Sequence, residues 1–452
     1  MDILTLFTCF ETLTTRTAVR QLSIIAQAML TMTGRVTMQG ISRWTEAGGS
    51  YRTVYRFFAT RLPWKELLVK FFLTHLLNPD HEFIAAGDAT TVTKSGKLTH
   101  GMGRFFSGVL GQVVRGLEFF VLSVVDVTRR KSYPLAVKQT VRSEAEKAAI
   151  KRRKKKRAKK PRKSPKKPRG RRPGSRNRDK NELNLSAELM RINEMLSGLL
   201  KLLRKFLALS YLAMDGHFGH NQAVLMARAN DLHLISKLRR DAALFEKYEG
   251  QQSGRGPNRK YGTRLRYDLL PTRYLKHSEQ EDEIITNYYE GVFLHKEFGC
   301  ELKVVVIVKI NLKTRKLGHA ILFSSDVELG WEKLVDYYSL RFQIEFNFRD
   351  AKQHFGLEDF MTTTETGVEN AANLAFLMVN VSAKMLTNSE EKCVGVLDLK
   401  THFRGIKYAL ETIKILQEKA EGILIEGAIE QVTERMSKLG RIHQPKVAIS
   451  TD

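Results

Sequence analysis

The chain has 452 residues, 42% of them hydrophobic, which is enough for two or three domains with a full-sized core. Lysine and arginine number 75 against 48 acidic residues, and the formal net charge of +27 favours a polyanionic partner. Three scattered cysteines, Cys9, Cys300 and Cys393, exclude a zinc module built on paired cysteines and indicate a reducing compartment. We expect no signal peptide and no membrane-spanning segment, so the sequence predicts a cytoplasmic protein without a membrane partner.

Most of the positive charge lies in one run. Between Lys151 and Lys180 there are 19 Lys and Arg and a single acid, Asp179, so this run carries +18 and the rest of the chain +9. Its prolines and glycines oppose a stable helix, and we predict a disordered basic loop over 149–182. Its length and proline content favour a sequence-independent DNA clamp over the alternative of a nuclear localisation signal.

Residues 1–80 have a helical pattern. Apolar residues recur at helical spacing over 18–30, and two short helical segments then flank a Gly-Gly turn. Such a pair suits a helix-turn-helix that contacts DNA through Tyr51, Arg52 and Arg56. The alternative is an ordinary helical subdomain packed on the core.

The pattern changes to strands from Glu82 onward. The first three predicted strands form a meander. The fourth and fifth strands each follow a helical crossover, and such crossovers make parallel strand pairs. This order predicts an α/β fold with a ribonuclease H-like mixed sheet and flanking helices, in which strands one and four are neighbours. The predicted strands are 82–92, 115–127, 132–141, 209–216 and 232–239, and the predicted crossover helices are 185–207 and 220–231.

The second half of the chain adds an insertion and further helices. A long helix is predicted over 330–356, ending at Gly356, and another over 367–387. The predicted domains are a helical DNA-binding domain over 1–80, a catalytic domain over 81–239 and 330–387, a β-rich insertion over 240–329 and a helical C-terminal tail over 388–452.

Four polar residues of the long helix share one face: Tyr338, Arg341, Glu345 and Lys352. At about 100° per residue they lie within a wedge of roughly 60°. A phenol, a guanidinium, a carboxylate and an ammonium on one stripe are unusual for packing. They suit a surface where the carboxylate holds a metal and its neighbours contact phosphates. The alternative for Glu345 is a helix-surface salt bridge with Arg341 or Arg349.

Two more acids, Asp88 and Asp215, follow predicted strands one and four. With Glu345 they make three carboxylates, which can hold two Mg²⁺ ions for phosphoryl transfer, with Mn²⁺ as the expected substitute. The alternatives are a turn residue for Asp88 and a helix N-cap for Asp215. His217 and His220 are interpreted as polar surface or DNA contacts, because two histidines beside an aspartate in a loop are more often such contacts than metal ligands. No competing catalytic motif occurs, since HExxH, GxSxG and GxxxxGK[ST] are all absent from the sequence.

The spacing Y-x2-R-x3-E-x6-K resembles the motif of DDE transposases of bacterial insertion sequences, in the insertion sequence four family. The resemblance covers roughly residues 80–385. It implies a ribonuclease H-like catalytic domain with a β-rich insertion before its last catalytic helix. It also implies that Asp88, Asp215 and Glu345 are the catalytic metal ligands.

The same resemblance implies that Tyr338, Arg341 and Lys352 contact the phosphate backbone near the transposon end. For the aromatic residue with which the family holds a flipped base, Trp331 is a candidate, and a core tryptophan is the alternative interpretation. The prediction is a nucleoid-associated bacterial transposase. It would bind terminal inverted repeats as a homodimer and catalyse DNA cleavage and transfer into target DNA. The alternatives are an inactive transposase-derived DNA-binding protein and a structure-specific nuclease of the same fold.

Overall fold

The computed structural model describes residues 3–45, 48–158, 179–252, 254, 258–387 and 395–417. The predicted C-terminal tail therefore lies outside the described residues except for 395–417. Within these ranges no helix has the length and apolar character needed to cross a membrane.

The N-terminal part is helical, as predicted. Its helices begin where a side-chain oxygen accepts a backbone N–H, as Thr15, Thr37 and Ser50 do for the second, third and fourth helices. Tyr51 and Arg52 are exposed on the fourth of them. The five helices are α1 Ile3–Phe7, α2 Arg16–Thr31, α3 Met38–Trp44, α4 Tyr51–Ala59 and α5 Trp64–His75.

The predicted alternation of strands and helices follows. Strands β1, β3 and β5 have long buried stretches, as expected for strands covered on both faces. The elements are β1 Phe83–Thr93, β2 Gly103–Ser107, β3 Gln112–Asp126, β4 Lys131–Gln139, α6 Glu144–Ala158, α7 Ala187–Leu203, β5 Tyr211–Met214, α8 Asn221–Arg228 and β6 His233–Leu238.

The predicted insertion is rich in strands, and helices complete the described chain. The strands are β7 Leu244–Lys247, β8 Tyr261–Arg264, β9 Leu275–Glu281, β10 Ile284–His295, β11 Glu301–Asn311 and β12 Leu317–Ser324. The helices are α9 Trp331–Leu340, α10 Gln343–Gln353, α11 Glu365–Thr387 and α12 Val396–Gln417.

The described strands form one sheet in the order β2-β3-β1-β5-β6-β12-β11-β10-β7-β8, with β4 also paired to β3 and β9 to β10. The five predicted core strands thus stand in the order third, second, first, fourth, fifth. Strand β1 is antiparallel to β3 and parallel to β5. The ribonuclease H-like mixed sheet with flanking helices is confirmed. The strands of the insertion extend the same sheet.

One hydrophobic core joins the N-terminal helices to the sheet and to α11. Asn370, buried on α11, accepts a hydrogen bond from the Trp64 indole at 2.7 Å and donates to the carbonyls of Phe58 and Thr60 at 2.8 and 2.7 Å. Its amide therefore satisfies carbonyls left free at the end of α4. The N-terminal helices pack on the core, as in the alternative interpretation.

Strand β1 does not end at Asp88. It spans Phe83–Thr93, close to the predicted 82–92, because its second half still pairs with β3, where Asp88 is the register partner of Val121. Asp88 therefore lies inside a strand and does not follow its end.

The helix predicted over 330–356 is two helices. The backbone tightens at Arg341 and Phe342, where Phe342, Ile344 and Glu345 donate to carbonyls three residues back. No proline or glycine marks this break, so the helical spacing of apolar residues continues across it in the sequence. The second helix ends at Gln353, and Gly356 turns the chain with a positive φ of 74°.

Part of the predicted basic loop is helical. Helix α6 extends to Ala158, so residues 149–158 are not a loop. Glu144 and Glu146 in its first turn complement the helix dipole, Ala, Lys and Arg are good helix formers, and the first proline of the run is Pro161. The remainder of the run, 159–178, lies outside the described residues.

Candidate active site

Asp88 and Asp215 lie side by side on neighbouring parallel strands. The register pairs Gly87 of β1 with Met214 of β5, so the two aspartates are the next residues on their strands. Asp215 also caps the one-turn helix Gly216–Phe218, since its Oδ1 accepts the backbone N–H of His217 at 3.2 Å. Asp215 therefore acts as an N-cap, as in the alternative interpretation, and also lies beside Asp88.

Arg341 connects Asp88 to Glu345. Its Nη1 donates to Asp88 Oδ2 at 2.7 Å, and its Nη2 lies 3.7 Å from Glu345 Oε1. The Arg341 side chain is 14% exposed, and its Nε is buried without a hydrogen-bond partner among the described residues. The guanidinium thus lies between two of the three predicted catalytic acids.

The carboxyl of Asp88 has an altered acidity. Burial raises its pKa, and although Arg341 lowers it, the nearby carboxylates of Asp215 and Glu345 raise it further, to about 6. The charges of Asp215 and Glu345 therefore both act on the Asp88 carboxyl. A cation close to Asp88 would stabilise its ionised form.

The other two residues of the predicted stripe also face β1. Tyr338 lies beside Arg341, with 5.8 Å between the guanidinium carbon and the ring centroid, and burial raises the pKa of its phenol. Lys352 donates to the Thr91 carbonyl at 2.8 Å and lies 3.4 Å from a Glu358 carboxylate oxygen. The structure thus brings Arg341 and Lys352 into contact with β1 and places Tyr338 and Glu345 beside Arg341.

The donor set suits a hard divalent cation, because it consists of carboxylates around a largely desolvated aspartate. However, within the described ranges no three acidic, histidine or cysteine side chains are gathered tightly enough to hold a metal. The Arg341 guanidinium explains this spacing, since it separates Asp88 from Glu345. Ligation by all three acids requires Arg341 to move aside.

Other candidate residues have different surroundings. His217 lies 3.3 Å from Glu188, and this hydrogen bond raises the pKa of its imidazole, which favours a protonated ring over a metal ligand. Trp331 is half-buried and stacks on His277, with ring centroids 5.8 Å apart. The His217 imidazole and the Trp331 indole form no described hydrogen bond with the three acids; only the backbone N–H of His217 contacts one of them, Asp215.

The sequence analysis missed two exposed rings at this site. Phe342 and Phe346 are 49% and 38% exposed and pack edge to face, with centroids 5.5 Å apart. They immediately follow Arg341 and Glu345. The sequence feature that could have revealed them is a pair of aromatic residues four positions apart within the motif. Exposed aromatic rings beside basic side chains suit contact with nucleic-acid bases.

Comparison with known protein families agrees with this site. A family model described as DDE superfamily endonuclease matches residues 5–284, and a model described as transposase DDE domain matches residues 191–381. Asp88 lies in the first match, Asp215 in both and Glu345 in the second. No curated protein matches the chain. Because the first model covers more than half of its length, the chain belongs to the DDE superfamily endonucleases, which cleave nucleic acids with divalent metal ions and include transposases.

Proposed function

We propose that this chain is a transposase of the insertion sequence four type. It binds the terminal inverted repeats of its element, cleaves the DNA there and joins the freed 3′ ends to target DNA. The observation that supports this most is the pairing of Asp88 and Asp215 on parallel strands, with Glu345 tied to them through Arg341. The Y-R-E-K stripe supports the narrower family assignment.

Asp88, Asp215 and Glu345 are proposed to hold Mg²⁺. Bound there, the ions would polarise the attacking oxygen and stabilise the leaving oxygen of an in-line displacement. The chain's own cations act on the DNA: Arg341 and Lys352 neutralise phosphates next to the scissile bond. The Tyr338 phenol, whose pKa burial raises, stays protonated and donates to a phosphate oxygen.

Contacts farther from the site would hold the substrate. Helix α4 exposes Tyr51, Arg52 and Arg56 and is proposed to contact the terminal repeat. The basic run is proposed to bind DNA without sequence preference. Two ends must be processed together, so we propose that the chain acts as a homodimer.

Glu345→Gln tests the catalytic assignment. The variant should lose Mg²⁺-dependent cleavage of a duplex carrying the DNA that borders the coding region, and should bind that duplex as the wild type does. Loss of a single ligating carboxylate removes the metal but leaves the phosphate contacts. Glu332→Gln, an exposed glutamate on α9, is the matched control and should cleave normally.

Either of two outcomes would favour a different function over the proposed one. Wild-type cleavage of branched DNA of any sequence, without preference for the bordering DNA, would identify a structure-specific nuclease. An absence of cleavage with Mg²⁺ or Mn²⁺ alongside normal binding would identify an inactive DNA-binding protein.

A further inference from the structure

A second basic surface lies on the insertion. Arg240, Arg264 and Arg266 line an open groove of about 900 Å³, and all three are exposed. Among the described residues, neither Arg240 nor Arg264 forms an ion pair, whereas Arg266 pairs with Asp268 at 2.6 Å. The groove therefore presents at least two guanidinium groups without a carboxylate partner.

The base of this arginine groove is held in place by several contacts. Tyr267 and His319 stack with ring centroids 4.9 Å apart at an interplanar angle of 18°. The Tyr267 hydroxyl donates to the Ala242 carbonyl at 2.5 Å, and His319 Nε2 forms a hydrogen bond with the Arg240 carbonyl at 2.9 Å. The backbone that carries Arg240 is thus fixed to β12, which places its side chain at a defined position.

The groove lies at the same edge of the sheet as Asp215, one of the three proposed metal ligands. Strands β5 and β6 are parallel with Ala213 paired to Ile235, so Asp215 is level with Lys237. Arg240 follows three residues later, one strand away. At about 3.3 Å per residue and 4.8 Å between strands, this corresponds to roughly 10 Å from Asp215. That distance is about three base pairs of duplex DNA.

We propose that the arginine groove binds the phosphate backbone of duplex DNA a few base pairs from the scissile phosphate. Guanidinium groups bind phosphate oxygens in a bidentate manner, and three of them along a groove match successive phosphates. The inference rests on the proposed function, because continuity with the cleavage site favours DNA over an acidic protein. It adds a substrate contact on the insertion that is separate from the stripe.

The test compares two triple variants of the full-length chain with equal loss of charge. Arg240→Ala/Arg264→Ala/Arg266→Ala removes the groove. Arg129→Ala/Lys201→Ala/Lys205→Ala removes three exposed cations that form no ion pair among the described residues, from the segments that lead into β4 and β5. Binding to a fluorescent duplex of arbitrary sequence is measured by anisotropy without metal at several salt concentrations.

The groove variant should show a slope of log affinity against log salt that is shallower by about 2 to 3, since each lost phosphate contact contributes about 0.9. The control should keep the wild-type slope. An unchanged slope in the groove variant, or an equal change in both variants, would overturn the proposal. So would normal DNA binding combined with lost binding to polyglutamate, which would indicate an acidic protein partner.

Two features keep the test decisive. If the triple variant does not fold, as judged by its thermal melt, Arg240→Gln/Arg264→Gln should reduce the slope by about 2 while leaving the Arg266–Asp268 pair intact. Because binding is measured without metal, the result does not depend on cleavage. A wild type that binds through the groove but never cleaves would contradict only the proposed function.

Discussion

Arg341 places a positive charge between Asp88 and Glu345, where the proposed function requires a metal. The buried Nε of Arg341 has no hydrogen-bond partner among the described residues, so in this position the guanidinium does not make all of its hydrogen bonds. A phosphate of bound DNA would offer Arg341 a bidentate partner and free the carboxylates. We therefore expect Arg341 to compete with the metal until DNA binds.

Arg341→Ala should bind Mn²⁺ more tightly than the wild type does in the absence of DNA. Removing one adjacent positive charge from a partly buried site contributes at least about 1.4 kcal/mol, which is roughly a tenfold gain in affinity. Isothermal titration calorimetry measures this directly. Arg349→Ala is the control, because Arg349 is exposed on α10, the helix that follows Arg341, and pairs with Asp350. Equal affinities for the Arg341 variant and the wild type would refute the competition.

The acidity of Asp88 predicts a pH dependence for the same binding reaction. Its pKa is raised to about 6, mainly by burial, and a protonated carboxyl cannot ligate a metal. Mn²⁺ affinity should therefore be constant above pH 6 to 7 and fall as the pH drops below about 6, approaching tenfold per pH unit. Titrations from pH 5 to 8 check this. Asp88→Asn should bind weakly throughout; a wild-type profile in that variant would assign the titration to another group.

At the scale of elements, α11 connects the N-terminal helices to the sheet through Asn370. Asn370→Ala should lower the free energy of unfolding by about 2 to 4 kcal/mol, because the Trp64 indole and the carbonyls at the end of α4 lose a buried partner. Urea unfolding followed by fluorescence and circular dichroism measures the change. The matched control is Asn373→Ala, since Asn373 is also buried on α11 but donates only to the Glu369 carbonyl of its own helix, and about 1 kcal/mol is expected. Equal losses would contradict the connecting role.

The strand order was predictable because each core strand is a short, strongly apolar run and the crossovers are amphipathic helices. Two features were not. Strand β2 is only five residues long, and its pairing with β3 depends on tertiary contacts that no periodicity encodes. The break between α9 and α10 consists of hydrogen bonds three residues apart, in a segment without proline or glycine. Propensity and periodicity both continue through such a tightened turn.

The sequence was sufficient to predict which site residues share one face of the helix and which strands carry the two aspartates. A helical wheel places Arg341 and Glu345 on one side, and the topology places Asp88 next to Asp215. The contact between Arg341 and Asp88 joins residues 253 positions apart, and its geometry follows from how α9 and α10 pack on the sheet. The sequence could not supply that packing, so the guanidinium between the carboxylates was not foreseen.

On the scale of the whole molecule, the insertion extends the catalytic sheet instead of forming a separate layer. Strand β6 of the core pairs directly with β12, which connects the edge that carries Asp215 to the arginine groove. One continuous sheet edge therefore carries both Asp215, a proposed metal ligand, and the arginine groove. A rigid edge of this kind holds substrate contacts at fixed distances from the scissile bond.

The basic run is a second concentration of positive charge in the chain. Residues 159–178 contain eleven Lys and Arg and no acid, so replacing them with an uncharged Gly-Ser linker of equal length lowers the net charge from +27 to +16. Affinity for duplex DNA of arbitrary sequence should fall, and the slope of log affinity against log salt should become shallower by several units, at about 0.9 per lost contact. The thermal melt should not change, because residues 159–178 contain no large apolar side chain that a core could bury. Anisotropy titrations and calorimetry provide the two measurements.

A chain with residues 159–178 in scrambled order is the control for that replacement. Counterion release depends on the number of neutralised phosphates and not on the order of the cations, so the scrambled chain should bind DNA as the wild type does. If scrambling weakens binding as much as the linker does, the run recognises a specific partner through its sequence. A lower melting temperature in the linker variant would show that the run also stabilises the fold, and would refute its assignment as an independent DNA-binding segment.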